Sequence, residues 1–119
     1  DIKLLDTYAA GEAVGLFQNN PFFTAVTVPA NTYKGQTTDI VSFQDGALLV
    51  ASADVPDEVV HQILTAIYTQ EGLDYMVSVH NSAKSMAIET GLKGVVTSIH
   101  PGALKFWEEN GLTIPQMAE

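Results

Sequence analysis

The three histidines are the side chains of this sequence that could act as acid/base groups or metal ligands. His61, His80 and His100 show no ligand spacing, such as two histidines four positions apart on a helix. His61 adjoins the apolar stripe of a predicted helix, and His100 precedes Pro-Gly at a helix start, where a ring nitrogen can bond the backbone. We therefore expect structural roles and no metal site, and keep a small hydrolase using His80 or His100 as a third functional hypothesis.

Other patterns typical of a catalytic centre are also missing from the sequence. It has no cysteine, and no serine lies in a G-x-S-x-G frame. The adjacent carboxylates Glu108 and Glu109, like Asp57 and Glu58, point in different directions on a helix and form no acid/base pair. No glycine-rich phosphate-binding loop is present. The sequence therefore predicts no enzyme activity and no cofactor.

A polar segment between two apolar runs, residues 29–39 (PANTYKGQTTD), is the other candidate for function. Its hydrogen-bonding side chains include Asn31, Thr32, Tyr33, Lys34, Gln36, Thr37 and Thr38. One hypothesis is a polar connection on the surface of the protein. The other is a crossing segment that presents Tyr33 and its neighbours to a small polar solute.

Acidic residues dominate the charge of the chain, since 14 acidic side chains face five basic ones for a net charge of -9. Nucleic acid and anionic membrane surfaces need a basic footprint, so neither is an expected partner. All five basic residues are lysines, so lysine, hydroxyl or backbone N–H groups must hold any anionic solute in place of an arginine clamp. No apolar run approaches the ~20 residues of a membrane span, so no membrane insertion is expected.

Length and composition predict a single α/β domain over residues 1–119. Hydrophobic residues make up 46% of the chain and charged residues 16%, a balance typical of a packed globule. Strands are predicted early and helices late, which favours a mixed sheet with helices packed on it and a helical C-terminal half. We expect this sheet to need completion from outside the sequence.

Three segments of the N-terminal half are predicted as strands. These are residues 2–6 (IKLLD), residues 22–28 (FFTAVTV), and residues 39–53 as one long strand or two joined at Gln44, Asp45 and Gly46. A helix is predicted between the first two, from about Ala9 until Asn19, Asn20 and Pro21 stop it.

Helices are predicted for most of the C-terminal half. The first begins after Asp54 as N-cap and ends at Gly72, and its apolar stripe must face a sheet or another helix. That stripe comprises Val59, Val60, Ile63, Leu64, Ile67 and Tyr68. A second helical region, broken near His80, is expected to bury Tyr75, Met76, Val79, Met86 and Ile88. A final helix starts at Pro101 and ends before Gly111, with Phe106 and Trp107 expected in the core.

Four segments of the chain resemble, in order and spacing, the C-terminal part of the TAXI family of solute-binding proteins. These segments are VPANTYKGQTTD, LLVASADVPDEVVHQILTAIYT, HNSAKSM and IHPGALKFWEENG. The resemblance as a whole runs from about Asp1 to Gly111. Members of that family are the extracytoplasmic receptors of tripartite ATP-independent periplasmic (TRAP) transporters. Asn31 stands where the family usually has glycine.

The resemblance implies part of a type II periplasmic-binding-protein fold, in which crossing strands join two α/β lobes around a solute-binding cleft. Residues 1–119 would then be the C-terminal portion of a two-lobed protein, well under half of a complete receptor. The polar segment would lie near a crossing between the lobes. Tyr33 is expected nearest the cleft, and Thr32, Gln36 and Asn31 are the other ligand-binding candidates.

The resemblance also implies a function in secondary transport. The solute would be a small organic acid or amino acid, the partners would be the membrane subunits of the transporter, and the location would be periplasmic or extracytoplasmic. Because the sequence starts at Asp1, we expect a signal segment or a larger upstream portion before it. The alternative is a stand-alone α/β interaction or regulatory domain that uses its late helices as a partner surface.

Overall fold

The computed structural model describes residues 3–114, which fall into two compact units. Residues 3–47 and 93–96 form the first, called the hairpin unit here, and residues 48–92 and 97–114 form the second, the helical unit. The interpretation of residues 1–119 as one domain stays a prediction.

The hairpin unit contains two antiparallel strands, β1 (Thr24–Val28) and β2 (Ile40–Gln44), with Val26 opposite Ser42. Alternate residues of β1 are exposed, so one face of the strand is covered. Both strands were predicted, but the sheet in the described residues is two-stranded and antiparallel instead of mixed. Residues 3–6 take neither helix nor strand structure, so the predicted strand there is wrong.

Two short helices precede the hairpin, α1 (Tyr8–Ala13) and α2 (Leu16–Asn19). The sequence predicted a single helix here. Gly15 separates the two because it takes a left-handed conformation, with φ of 69°, which glycine adopts at little cost.

Aromatic rings fill the space between these helices and the hairpin. Phe43 of β2 contacts Phe17 and Phe23 edge to face, with ring centroids 5.8 and 5.0 Å apart, and Tyr8 stacks on Phe17 at 4.6 Å. Gly11 is buried beneath Phe17, where a Cβ would lie only 2.9 Å from the ring. The small core of the hairpin unit is therefore aromatic.

The second half of the predicted long strand is not a strand in the structure. Residues 45–52 take neither helix nor strand structure, so Gln44, Asp45 and Gly46 do not join two strands. A strand is stable only where a neighbouring strand satisfies its backbone groups. The composition of residues 47–51 indicates a strand, but no described strand pairs with them.

The helical unit confirms the predicted helical C-terminal half. Its helices are α3 (Asp57–Ile67), α4 (Gln70–Val79) and α5 (Pro101–Glu109), with short 3-10 helices at Asn81–Ser85 and Ile88–Thr90. The N-cap of α3 is Pro56 instead of Asp54, and Asp57 and Glu58 lie in its first turn, where the helix dipole favours negative charge. The predicted break at His80 is confirmed.

The core of the helical unit lies between α3 and α5. Val60 and Leu64, one turn apart on α3, pack with Phe106 and Trp107 of α5, each of which is only 5% exposed. This confirms the prediction that both aromatic residues belong to the core. The predicted stripe is only partly covered, because its members Val59 and Ile63 are exposed; Tyr75 and Val79 of α4 are also exposed, so the prediction that they are buried is wrong.

Glycines allow close approaches in this unit. A Cβ at Gly102 would overlap the carbonyl oxygen of Asp57, and one at Gly91 would overlap the Trp107 ring. Gly72 was predicted to end α3 but lies in the first turn of α4, where its N–H donates to the hydroxyl of Thr69 at 3.0 Å. The Thr69 hydroxyl therefore caps α4.

The end of α5 follows the predicted pattern. Gly111 has a φ of 80°, its N–H donates to the carbonyl of Glu108, and the N–H of Leu112 donates to that of Trp107. These two bonds are those of a Schellman motif, in which a left-handed glycine satisfies the last helical carbonyls.

Candidate functional site

The polar segment of residues 29–39 connects the two strands of the hairpin unit and folds as two successive β-turns. The N–H of Thr32 donates to the carbonyl of Pro29 at 3.2 Å, and the N–H of Gln36 donates to the carbonyl of Tyr33 at 3.1 Å. Because β1 pairs directly with β2, the segment returns the chain to the same sheet. We call residues 29–39 the hairpin loop; its position near a crossing between lobes stays a prediction.

The third residue of each turn has a positive φ, 65° at Asn31 and 85° at Gly35. A type II turn requires this conformation at its third position, and glycine and asparagine tolerate it better than other residues. This requirement accounts for asparagine at position 31 and glycine at position 35.

The side chain of Gln36 lies inside the hairpin loop and stabilises it, and the residue is only 9% exposed. Its side-chain Nε2 lies 3.0 Å from the carbonyl oxygens of Val28, Pro29 and Thr38, and its Oε1 accepts from the N–H of Tyr33 at 3.3 Å. The two amide hydrogens are thus shared among three carbonyls. Gln36, a predicted ligand-binding residue, uses its donors to hold the loop together.

The rest of the hairpin loop combines fixed polar groups with outward side chains. The carboxylate of Asp39 accepts from the N–H of Ala30 at 2.8 Å, and the Thr32 hydroxyl donates to a loop carbonyl at 2.7 Å. Tyr33 is 58% exposed, and Lys34 beside it is exposed as well. The structure therefore brings the four predicted ligand-binding residues together in one loop, with Tyr33 outward and Gln36 inward.

His100 has the structural role that its position predicted. Its Nδ1 accepts from the N–H of Gly102 at 3.1 Å, and its Nε2 lies 3.0 Å from the carbonyl oxygen of Val55. These partners assign the proton to Nε2, which donates to Val55. The ring caps α5 and ties it to the segment before α3.

His80 forms local contacts with a single serine. Its Nδ1 accepts from the N–H of Ser82 at 3.2 Å and lies 2.8 Å from the Ser82 hydroxyl oxygen. This pair caps the 3-10 helix that follows His80. The contacts are those of a helix cap, and they give no support to the hydrolase hypothesis.

His61 contacts Glu109, a pairing that the sequence did not predict. Its Nε2 lies 2.7 Å from Oε2 of Glu109, which joins α3 to α5 across 48 positions of sequence. Both residues line a shallow pocket of about 330 Å³, together with Thr65, Tyr68, Ile88, Phe106 and Asn110. His61 was expected beside the apolar stripe of its helix, but the sequence carries no signal that pairs it with Glu109 on a distant helix.

Tyr68 forms part of the wall of this pocket and contacts the core. Its ring centroid lies 5.6 Å from that of Phe106 and 5.1 Å from that of Trp107. Burial raises the pKa of the Tyr68 phenol above its usual value of 10.0, because it penalises the charged form. Tyr68 is therefore a neutral packing residue at neutral pH.

Residues 3–114 contain neither a cluster of metal ligands nor a membrane-spanning helix. In that part of the chain, no group of three or more histidine, aspartate or glutamate side chains could hold a metal ion. None of the helices described there has the length and apolar composition needed to cross a membrane.

The α/β architecture, with a two-stranded sheet and packed helices, is compatible with a fragment of a periplasmic-binding-type fold. The chain matches the NMT1-like family over residues 1–111 and belongs to this family of periplasmic solute-binding proteins. Such proteins are typically extracytoplasmic and non-enzymatic. The membership favours the solute-binding hypothesis over a stand-alone interaction domain.

Proposed function

We propose that this chain is the solute-binding component, or part of one, of a TRAP-type transporter of the TAXI subfamily, located outside the cytoplasm and without catalytic activity. The observation that carries the proposal is the family match over residues 1–111. The four segments that follow the TAXI order support the subfamily. The proposed partners are the membrane subunits of the transporter.

The hairpin loop is the proposed contact surface for the solute. Tyr33 offers an exposed ring and hydroxyl, and Thr32 and Asn31 lie next to it in the first turn. Gln36 contributes indirectly, because its bonds to three carbonyls set the shape on which Tyr33 is displayed. The network holds the contact groups in place before binding, which reduces the entropy lost when the solute binds.

The proposed solute is a small organic acid or amino acid. The chain has no arginine, and Lys34 is the cation that belongs to the hairpin loop. A net charge of -9 repels anions at long range, so short-range contacts must supply the affinity for a carboxylate. The Lys34 ammonium and the Tyr33 hydroxyl are suited to that contact, and further groups would come from outside these 119 residues.

Calorimetric titration with a panel of dicarboxylates and amino acids tests this proposal. It would be performed on this chain and on the complete natural gene product. We expect saturable binding of one chemical class, weakened at least about tenfold in Tyr33→Ala and in Lys34→Gln, since each loses a direct polar contact. Tyr75→Ala is the matched control, because Tyr75 is 68% exposed and lies outside the hairpin loop.

Two results would overturn the proposal. One is the absence of binding by both polypeptides across the whole panel. The other is binding that survives Tyr33→Ala and Lys34→Gln unchanged, which would move the solute away from the hairpin loop. Solute uptake by proteoliposomes that carry TRAP membrane subunits tests the transporter type separately.

A further inference from the structure

Asn110 and Gly111, at the C-terminal end of α5, form an Asn-Gly pair with a reactivity of its own. The backbone nitrogen that follows an asparagine can attack the side-chain amide carbon, and glycine hinders this attack least because it has no Cβ. The other asparagines of the sequence precede asparagine, proline, threonine or serine. Asn110 is therefore the asparagine whose following residue most favours this reaction.

The reaction is a deamidation whose only co-reactant is water. The nitrogen of Gly111 loses its proton and bonds to Cγ of Asn110, and the bond from Cγ to Nδ2 breaks as the amide group takes up a proton and leaves as ammonia. Water then opens the resulting cyclic imide. Opening at Cγ gives aspartate, whereas opening at the main-chain carbonyl carbon gives isoaspartate, in which the chain continues through Cγ.

Both reacting residues are open to solvent at the end of the helix. Asn110 and Gly111 are exposed, and a Cβ built at Gly111 would meet no atom within 4 Å. Water therefore reaches the peptide bond between them, and the described neighbours leave space for ring closure.

The Schellman motif at the end of α5 holds the two reacting groups in other bonds. The N–H of Gly111 donates to the carbonyl of Glu108 at 2.9 Å, and Nδ2 of Asn110 donates to that of Phe106 at 2.8 Å. Leu112 closes the motif, because its N–H donates to the carbonyl of Trp107 and its side chain packs on the core of the helical unit. The nitrogen of Gly111 becomes free to react only when this last turn opens.

We propose that Asn110 is a site of spontaneous deamidation and that the Schellman motif at the end of α5 sets its rate. The reaction is slow while the motif is closed. Each opening of the last turn brings the Gly111 nitrogen within reach of the Asn110 side chain. This modification site lies within the helical unit and is independent of the solute contact proposed for the hairpin loop.

Both products destabilise the helix end that protected Asn110. Aspartate lacks the donor to the Phe106 carbonyl and places a carboxylate next to Glu109, at the end of the helix where the dipole disfavours negative charge. Isoaspartate adds one main-chain atom between residues 110 and 111, so the N–H groups of Gly111 and Leu112 no longer align with their carbonyl partners. Deamidation therefore weakens the attachment of the end of α5 to the core.

Peptide mapping by mass spectrometry tests the proposal on the full chain, aged at mildly alkaline pH with and without guanidinium chloride. Trypsin cleaves after Lys105 and releases residues 106–119, in which Asn110 is the only asparagine. We expect Asn110 to deamidate at least about tenfold faster in the denaturant than in the folded chain, because no opening step is then required. In the denaturant it should also react faster than Asn81, and Gly111→Ala should slow it, since the methyl group hinders the nitrogen.

Two variants separate the Schellman motif from a general loss of stability. Leu112→Ala and Leu92→Ala each truncate a partly buried leucine that packs on the same core, but only Leu112 belongs to the motif. Without denaturant, we expect deamidation to be several-fold faster in Leu112→Ala than in Leu92→Ala.

The effect of the product is measured with Asn110→Asp, which reproduces one of the two products. Its melting temperature by circular dichroism should be about 4 °C or more below that of Thr113→Asp, which adds the same charge at an exposed position beyond the helix.

Several results would overturn the proposal. Deamidation of Asn110 no faster than that of Asn81 in the denaturant would contradict the role of the Gly111 nitrogen. Equal rates in the folded and the denatured chain, or in Leu112→Ala and Leu92→Ala, would show that the Schellman motif does not control the reaction. Equal melting temperatures of the two aspartate variants would show that the product does not weaken the helix end.

Discussion

The hairpin loop and the α3–α5 pair are held together by different kinds of interaction. In the helix pair, apolar contacts between Val60, Leu64, Phe106 and Trp107 hold the elements together, and His100 serves this packing by capping α5. In the hairpin loop, hydrogen bonds from Gln36 hold the elements together. The loop is thus built by polar groups, whereas the helix pair is built by apolar ones.

This difference identifies which region is suited to bind a polar solute. The α3–α5 pair buries its aromatic side chains, so few of them are available to a solute. Its histidines, His61 and His100, already bond to other groups of the same chain. A loop shaped by buried polar bonds can display other side chains without losing its form. Tyr33 and Lys34 are displayed in this way, so the loop is the better candidate for recognition.

The largest expected effect is a loss of stability when the apolar core between α3 and α5 is truncated. Trp107→Ala should lower the free energy of unfolding of the helical unit by about 3–5 kcal/mol, because it leaves a cavity between α3 and α5. Urea unfolding followed by circular dichroism measures this, since the variant has no tryptophan to report by fluorescence. Val79→Ala, at an exposed position of α4, is the control, and a loss as small as that of the control would contradict the packing account.

The second-largest expected effect is a loss of stability when the hydrogen bonds of Gln36 in the hairpin loop are broken. Gln36→Glu keeps the shape of the side chain but replaces a donor with a carboxylate that faces three carbonyl oxygens, so we expect a loss of about 3 kcal/mol. Gln44→Glu, at the exposed end of β2, makes the same chemical change without this cost. Hydrogen exchange of the β1 and β2 amides measures both, and equal exchange rates would show that Gln36 does not hold the loop.

A smaller effect concerns the backbone of the first turn. Asn31→Ala should cost about 1 kcal/mol, because alanine is strained at a φ of 65°, whereas Asn31→Gly should be close to neutral. Thermal unfolding of the two variants beside the wild type measures the difference. Equal stability of the alanine and glycine variants would indicate a different turn.

The smallest effect depends on pH. Because burial raises the pKa of Tyr68 in the folded state, its contribution to stability is complete below pH 10 and is lost as the pH rises through the folded pKa. Tyr68→Phe should therefore lose less stability than the wild type as the pH rises above 10. Urea titrations at a series of alkaline pH values test this, and parallel profiles for the two proteins would contradict it.

Local signals in the sequence were sufficient for the parts of the fold that local chemistry determines. Pro101 and Gly111 marked the two ends of α5, and the residues around His100 indicated its bond to the backbone. The aromatic and β-branched composition of residues 22–28 indicated β1. Each of these features depends on groups only a few positions apart.

Features that depend on distant partners could not be predicted in the same way. Residues 47–51 have strand composition but lack a described partner strand, and Val59 and Ile63 belong to an apolar stripe that is only partly covered. The contact of His61 with Glu109 depends on how α3 packs on α5. Within the candidate site, the sequence identified the hairpin loop, but the inward direction of Gln36 depends on carbonyl groups that only the folded turns bring together.

NMR titration of the isotope-labelled chain with the solute class found by calorimetry tests the central claim most directly. We predict that the amide shifts concentrate at Tyr33, Lys34 and Gly35 of the hairpin loop, with little change at His61 and Glu109 between α3 and α5. Shifts confined to the helix pair, with none in residues 29–39, would contradict the claim that the hairpin loop contacts the solute.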